Sequence, residues 1–120
     1  MKQAAFIGTG NMGGALVRAA CLSVPPQEII ISNRTRAKAQ DLEGETGCTV
    51  AANNLEAASA GRYVFLGVKP HLMRSLLEEI GPVLTPDQVL VSMAAGLTTE
   101  TLATWAPSGT PILRIMPNTP

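Results

Sequence analysis

Aromatic side chains are almost missing from this chain: two Phe, one Tyr and one Trp make up 3% of its 120 residues. So few rings provide no stacking platform for nucleic-acid bases, and they leave the core to aliphatic residues. Charge of one sign is lacking too. Nine basic and nine acidic side chains cancel, so no overall field draws the molecule to nucleic acid or to an anionic membrane. Any bound anion must be held by local geometry. The only cysteines, Cys21 and Cys48, have neither CxxC nor any other metal-ligand spacing. They read as reduced fillers of an intracellular protein, and no metal is expected. No apolar run approaches the ~18 residues of a membrane span. The strand pattern starts at Gln3, leaving no room for a signal peptide. These absences predict a cytoplasmic chain with neither nucleic acid nor membrane as partner.

What is present is aliphatic and punctuated by glycine and proline. Hydrophobic residues reach 46%, which suits a sheet covered on both faces. Strand candidates fall at 3–7, 29–32, 48–50, 63–68, 89–93 and 112–116, as continuous apolar runs rather than alternating ones. Helical patterns at 12–22, 36–46, 55–60, 71–84 and 99–105 separate them. In the fourth, Leu72, Leu76, Leu77 and Ile80 share the inward face, with Glu78 and Glu79 outside. Asn54 and Thr98 are predicted N-caps, and Gly47 a left-handed C-terminal stop. Strands separated by helices imply right-handed crossovers. The expected fold is therefore α/β, a Rossmann-type, doubly wound, mainly parallel sheet with helices on both faces. Residues 1–120 form one domain.

Gly8-Thr9-Gly10-Asn11-Met12-Gly13 leaves the first strand and opens the first helix. That context turns a common glycine pattern into a diphosphate cradle. Gly8 permits the tight turn, Gly10 lets backbone approach the pyrophosphate, and Gly13 lets helix pack on strand. The N–H groups and positive end of the helix face the anion.

The end of the second strand selects between dinucleotides. An NAD site wants a carboxylate there for the ribose 2′-OH. Glu28 lies about twenty residues past Gly8, but it precedes the strand and so sits at the wrong end of the sheet. After the strand come Ser32, Asn33, Arg34, Thr35 and Arg36, then Lys38, with no carboxylate before Asp41. Hydroxyls, an amide and guanidiniums suit a 2′-phosphate, and cations at a helix N-terminus are unfavourable without an anionic partner. NADP(H) is preferred, with NAD(H) the second candidate.

In such sheets ligands gather at the carboxyl ends of the strands. Val68-Lys69-Pro70 ends the fourth, Pro70 opening a helix at its first turn. Lys69 reads either as a cofactor contact or as a solvent-facing lysine. Ala94-Ala95-Gly96 after the fifth strand either admits a flat ring or allows tight packing. Pro117 and Pro120 bracket Asn118 in a rigid turn. His71, the sole histidine, has no carboxylate or cysteine partner in sequence reach and reads as a surface or capping residue. Trp105 reads as core or interface.

Taken together, Phe6–Gly13, Phe65–Pro70, Ser92–Gly96 and Arg114–Pro120 make the chain resemble the N-terminal half of pyrroline-5-carboxylate reductase, over essentially its whole length. The resemblance implies NAD(P)H-dependent reduction of 1-pyrroline-5-carboxylate to L-proline, the last step of proline biosynthesis. It puts Gly8, Gly10, Asn11 and Met12 around the pyrophosphate and residues 32–36 at the adenosine phosphate. Asn54 and Lys69 fall beside the riboses and phosphates, Ala95 near the nicotinamide, and Asn118 along the cofactor. Members of that family continue into a C-terminal helical domain that dimerises and carries the substrate pocket. A homo-oligomer is thus expected of a full-length protein, while the state of this cofactor domain alone stays open. No catalytic residue is assigned, and the domain alone is expected to bind NADPH with little or no turnover. Alternatives are the cofactor domain of a 3-hydroxyisobutyrate-like dehydrogenase or an NADP:F420 oxidoreductase, against which Met116–Pro120 argues, or a non-catalytic NADP(H)-binding module.

Overall fold

Each aliphatic run becomes a strand and each glycine- or proline-marked gap a crossover. The structure is a computed structural model that describes residues 1–8, 11–94 and 96–115, with backbone alone at 11–13. In chain order the elements are β1 (Lys2–Ile7), α1 (Asn11–Ser23), β2 (Ile29–Ser32), α2 (Arg36–Thr46), β3 (Thr49–Val50) and α3 (Asn54–Ala60). Then follow β4 (Gly61–Leu66), α4 (Pro70–Ile80), β5 (Val89–Ser92), α5 (Thr99–Trp105) and β6 (Ile112–Arg114). All pairings are parallel, in the order β3-β2-β1-β4-β5-β6. The order reverses between β1 and β4, the switch point of a doubly wound sheet.

Alternation along the strands divides the interior into two layers. Ala4, Phe6, Ile29 and Ile31 pack with Val17 of α1 and with Ala39 and Leu42 of α2. Ala5, Ile7, Ile30, Val64 and Leu66 face the other way, onto Met73, Leu77 and Ile80 of α4 and Leu102 of α5. Each buried Val, Leu, Ile or Met among them contributes about 1.5–3 kcal/mol by leaving water, and each Ala less. Phe6 and Phe65 stack across β1 and β4, with centroids 4.5 Å apart. Half of the chain's aromatic residues thus serve one cross-strand contact.

The departures from expectation are local. Asn53, not Asn54, caps α3: its Oδ1 accepts from Glu56 N at 2.8 Å, and Glu56 Oε1 accepts from Ala52 N at 3.1 Å. Thr98 caps α5 as expected, accepting from Thr101 N at 3.1 Å. Gly47 closes α2 at φ 82°. β4 ends at Leu66, so Val68 belongs to the loop that Pro70 requires before α4. That helix stops at Ile80 and tightens into a 3-10 turn over Gly81–Val83, because Pro82 supplies no N–H to continue the ladder. Its buried face is Met73, Leu76, Leu77 and Ile80, and Leu72 turns partly outward instead. β6 ends at Arg114, and residue 116 lies outside the described residues. Trp105 packs, half-buried, against the α4–α5 layer.

Two buried groups are not read from local sequence. Gln88 is completely enclosed; its Nε2 donates to Ala58 O and Gly61 O, each at 2.6 Å, and its Oε1 accepts from Thr85 N at 2.8 Å. One amide thus ties the end of α3 and the start of β4 to the approach to β5. Cys48 is fully buried, and burial pushes its thiol above the ordinary range.

Candidate cofactor groove

The carboxyl ends of five strands are tied one to the next by single backbone bonds beyond the regular ladder. Gly8 N donates to Ser32 O at 2.9 Å, Gly67 N to Ile7 O at 2.8 Å, and Met93 N to Leu66 O at 3.2 Å. Ala51 N donates to Ile31 O at 2.8 Å. The ends of β3, β2, β1, β4 and β5 are therefore held level at one edge by main-chain bonds.

Gly8 and Gly67 meet at the switch point. Gly8 has φ +82°, and a Cβ there would lie 2.9 Å from Val68 Cγ1 and 3.0 Å from the carbonyl of Gly67. A Cβ on Gly67 would in turn run into Gly8 O and Met93 Cε. Gly8 thus answers two demands at once, a left-handed backbone and a close backbone approach. The second partner, Gly67, was not among the expected site residues.

A groove of about 900 Å³ opens above this contact. Among its lining residues are Gly8, Ser32, Asn33, Arg34, Asn54, Val68 and Lys69, all expected from sequence. Arg36, placed with residues 32–36 at the adenosine phosphate, lines it too, and Gly67, His71, Leu72, Ser75 and Glu79 do so without having been assigned to it. Thr35 stands just outside as the N-cap of α2, and Pro70 as the first residue of α4. Ala94 is buried beyond the end of β5 and Gly96 turns at φ +82°; neither lines the groove. Thr9, Gly10, Ala95 and Asn118 lie outside the described residues, and of Asn11, Met12 and Gly13 only the path through the first turn of α1 is described.

Charge in the groove is unevenly spread. Arg34 and Arg36 sit where β2 gives way to α2, whose first turn holds no acidic residue. Glu28 lies in a 3-10 turn before β2, at the opposite edge of the sheet. Lys69 and His71 flank the start of α4, both exposed. Among the described lining residues the one carboxylate is Glu79, from the last turn of α4.

Ser32, Asn54 and Glu79 form a chain of hydrogen bonds along the wall. Ser32 Oγ donates to Asn54 Oδ1 at 2.7 Å, and Asn54 Nδ2 donates to Glu79 Oε1 at 3.1 Å. Ser32 is buried, and its proton is directed at Asn54 rather than outward. None of these three engagements is legible from the neighbouring residues in sequence. Among the described residues no group of acidic, histidine and cysteine side chains is arranged to hold a metal ion. No described helix is long and apolar enough to cross a membrane.

Comparison with known proteins agrees with this geometry. The chain is 41% identical over 117 residues to pyrroline-5-carboxylate reductase 3 of Danio rerio, covering 96% of this chain and 40% of that protein. Among solved structures, a pyrroline-5-carboxylate reductase from Coxiella burnetii superposes with a TM-score of 0.92 at 31% identity, over 99% of this chain and 45% of its own. A Plasmodium falciparum pyrroline carboxylate reductase with NADP bound superposes with a TM-score of 0.81 at 25% identity, over 98% of this chain and 42% of its own. The chain thus spans less than half the length of these relatives, and its resemblance to the N-terminal half of pyrroline-5-carboxylate reductases holds in sequence and in fold. Residues 3–96 also match the family model described as NADP oxidoreductase, coenzyme F420-dependent, and the chain belongs to that family.

Proposed function

We propose that residues 1–120 are the NADP(H)-binding domain of a reductase that converts 1-pyrroline-5-carboxylate to L-proline. The observation that carries the cofactor reading is the pair Arg34 and Arg36 at the carboxyl end of β2, where an NAD-selective site would hold a carboxylate. The residues fit a dinucleotide physically. At the Gly8–Gly67 contact backbone meets backbone with no room for a Cβ on either residue, and the groove beside it has the size of a cofactor site. Arg34 and Arg36 offer planar forks for the 2′-phosphate. The head of α1 faces the bridging phosphates with its free N–H groups. Lys69 and Asn54 meet the ribose–phosphate strand between them.

A bound reduced nicotinamide supplies the hydride for the C=N bond. The chain's own part is to bind and orient. The backbone at the ends of β1 and β4 fixes the depth at which the cofactor lies, and the guanidiniums fix its adenosine end. Ala95 is assigned to the nicotinamide end and Asn118 to the length of the cofactor. No residue of the described groove is assigned a proton at the developing amine, so the proton donor and the substrate pocket belong to the rest of a longer protein, as does oligomerisation. The substrate assignment rests on the pyrroline-5-carboxylate reductases, which match past Gly96; the family model ends there and so bears on the cofactor domain alone.

The test is titration calorimetry of the chain with NADPH and NADH, for the unaltered protein and Arg34→Asp. NADPH should lose about a hundredfold in affinity and NADH less than about threefold, as expected for losing a charged hydrogen-bonded pair and gaining a repulsive charge. Equal losses for both nucleotides would remove the 2′-phosphate assignment. Absence of saturable heat with either, on folded protein, would remove the cofactor reading itself. Proline formation by the chain alone at a rate typical of a whole enzyme would show that the proton donor lies within these 120 residues.

A further inference from the structure

The hydrogen-bond chain Ser32–Asn54–Glu79 has a direction, and only one of its members can impose it. A serine hydroxyl donates or accepts equally well, so Ser32 would tolerate either face of the Asn54 amide. An ionised carboxylate only accepts. Glu79 Oε1 at 3.1 Å from Asn54 Nδ2 therefore requires the amide nitrogen on its side. That puts Oδ1 toward Ser32, and the Ser32 proton follows at 2.7 Å. Glu79 reaches Asn54 from the last turn of α4, whereas Ser32 ends β2 and Asn54 begins α3.

Once the amide is fixed, the groove wall has a defined pattern. Asn54 keeps a second N–H beyond the one given to Glu79, and Ser32 keeps its oxygen lone pairs. Both residues line the groove. A reversed amide would offer a carbonyl oxygen where that N–H stands, which repels the oxygen-rich ribose–phosphate strand of a dinucleotide. We propose that Glu79 is a positioning residue for cofactor binding: it sets the Asn54 amide so that a donor, not an acceptor, faces the ribose–phosphate strand. The inference rests on the dinucleotide reading of the groove.

The sign of the effect separates this role from simple electrostatics. As a bare negative charge near phosphates, Glu79 would weaken binding, and its removal would tighten NADPH more than NADH. As a positioning residue it strengthens binding of both nucleotides alike, because the strand that meets Asn54 is common to both.

Calorimetry with NADPH and NADH on the 120-residue chain tests this with Glu79→Ala and Glu79→Gln. Glu79→Ala should weaken both nucleotides by about tenfold, the scale of one hydrogen bond, with their affinity ratio unchanged. Glu79→Gln, which still offers a carbonyl oxygen, should recover most of that loss. The Asn54 side-chain amide resonances should shift in Glu79→Ala without ligand, while backbone resonances of β2 and α2 stay in place, which also certifies the fold. Unchanged or tighter NADPH binding by Glu79→Ala would overturn the inference and leave the cofactor reading standing. So would an unmoved Asn54 amide. Failure of the unaltered chain to bind either nucleotide would overturn both, whereas Arg34→Asp alters the NADPH-to-NADH ratio and so reports on the cofactor reading by itself.

Discussion

Replacing Gly8 by Ala is the sharpest perturbation the fold offers, because three other glycines serve as internal controls. Gly8, Gly47, Gly96 and Gly109 all have φ between 82° and 84°. A left-handed backbone costs a residue bearing Cβ about 1–2 kcal/mol. At Gly96 and Gly109 that is the whole expected penalty, since a new methyl would meet nothing within 4 Å. At Gly47 it would touch Pro26 Cβ at 3.6 Å, an ordinary contact. At Gly8 the methyl meets the Gly67 carbonyl at 3.0 Å and Val68 Cγ1 at 2.9 Å. The valine can rotate, but the carbonyl belongs to backbone bonded into the sheet through Gly67 N and Ile7 O. Overpacking of this kind adds about 1–3 kcal/mol, so Gly8→Ala should cost roughly 2–5 kcal/mol in total. Urea unfolding without cofactor measures this, with the slope of free energy against urea serving to show that both states are otherwise unchanged. The expected order is Gly8→Ala well below Gly47→Ala, Gly96→Ala and Gly109→Ala, the last three agreeing within about 0.5 kcal/mol. Equal losses at Gly8 and Gly109 would refute the steric account and leave backbone handedness as the only role of Gly8 in stability.

Gln88→Leu should lower stability by about 3 kcal/mol, since it strips the carbonyls of Ala58 and Gly61 and the N–H of Thr85 of an enclosed partner; a calorimetric melting shift under about 3 °C would contradict that. Cys48, whose thiol burial raises, is neutral in both states at neutral pH. As pH rises past the ordinary thiol range of about 8.5 the unfolded chain ionises first. Stability should then decline with increasing pH, more for the parent than for Cys48→Ala, when urea midpoints are compared between about pH 7 and pH 10. Parallel curves for the two proteins would show that Cys48 plays no part in the alkaline loss. In native protein a maleimide should modify partly exposed Cys21 well before buried Cys48, a difference that vanishes in denaturant; simultaneous labelling would mean that the α1–α2 layer opens readily.

The sheet was legible because its signal is repetitive: aliphatic runs separated by glycine, proline and amphipathic stretches leave one economical arrangement. Arg34 was legible too, since the end of β2 is a position at which residue type carries chemical meaning. The capping error at Asn53 and Asn54 is a one-residue ambiguity between two chemically identical caps, resolved only when Asn54 is seen to be engaged by Ser32 and Glu79. Glu79 itself stands 25 residues from its partner, and on the helix pattern it looked like one more solvated charge. Gln88 sits in a Thr-Pro-Asp-Gln loop, whose composition signals solvent. Its burial follows from where α3 ends and β4 begins, a tertiary fact. Gly67 lies within the Phe65–Pro70 motif, but its need for hydrogen in place of a side chain was not legible, because it arises from Gly8, far away in the chain.

That glycine-to-glycine seam has a kinetic corollary. Two main-chain segments pressed together and pinned to the sheet have nowhere to move, so the receptor's base is assembled before anything docks. Little ordering entropy is then left to be lost on arrival, and main-chain positions at the ends of β1 and β4 should shift by less than about 1 Å between empty and loaded states. Capture should proceed as a single encounter step, its observed rate climbing linearly with nucleotide concentration.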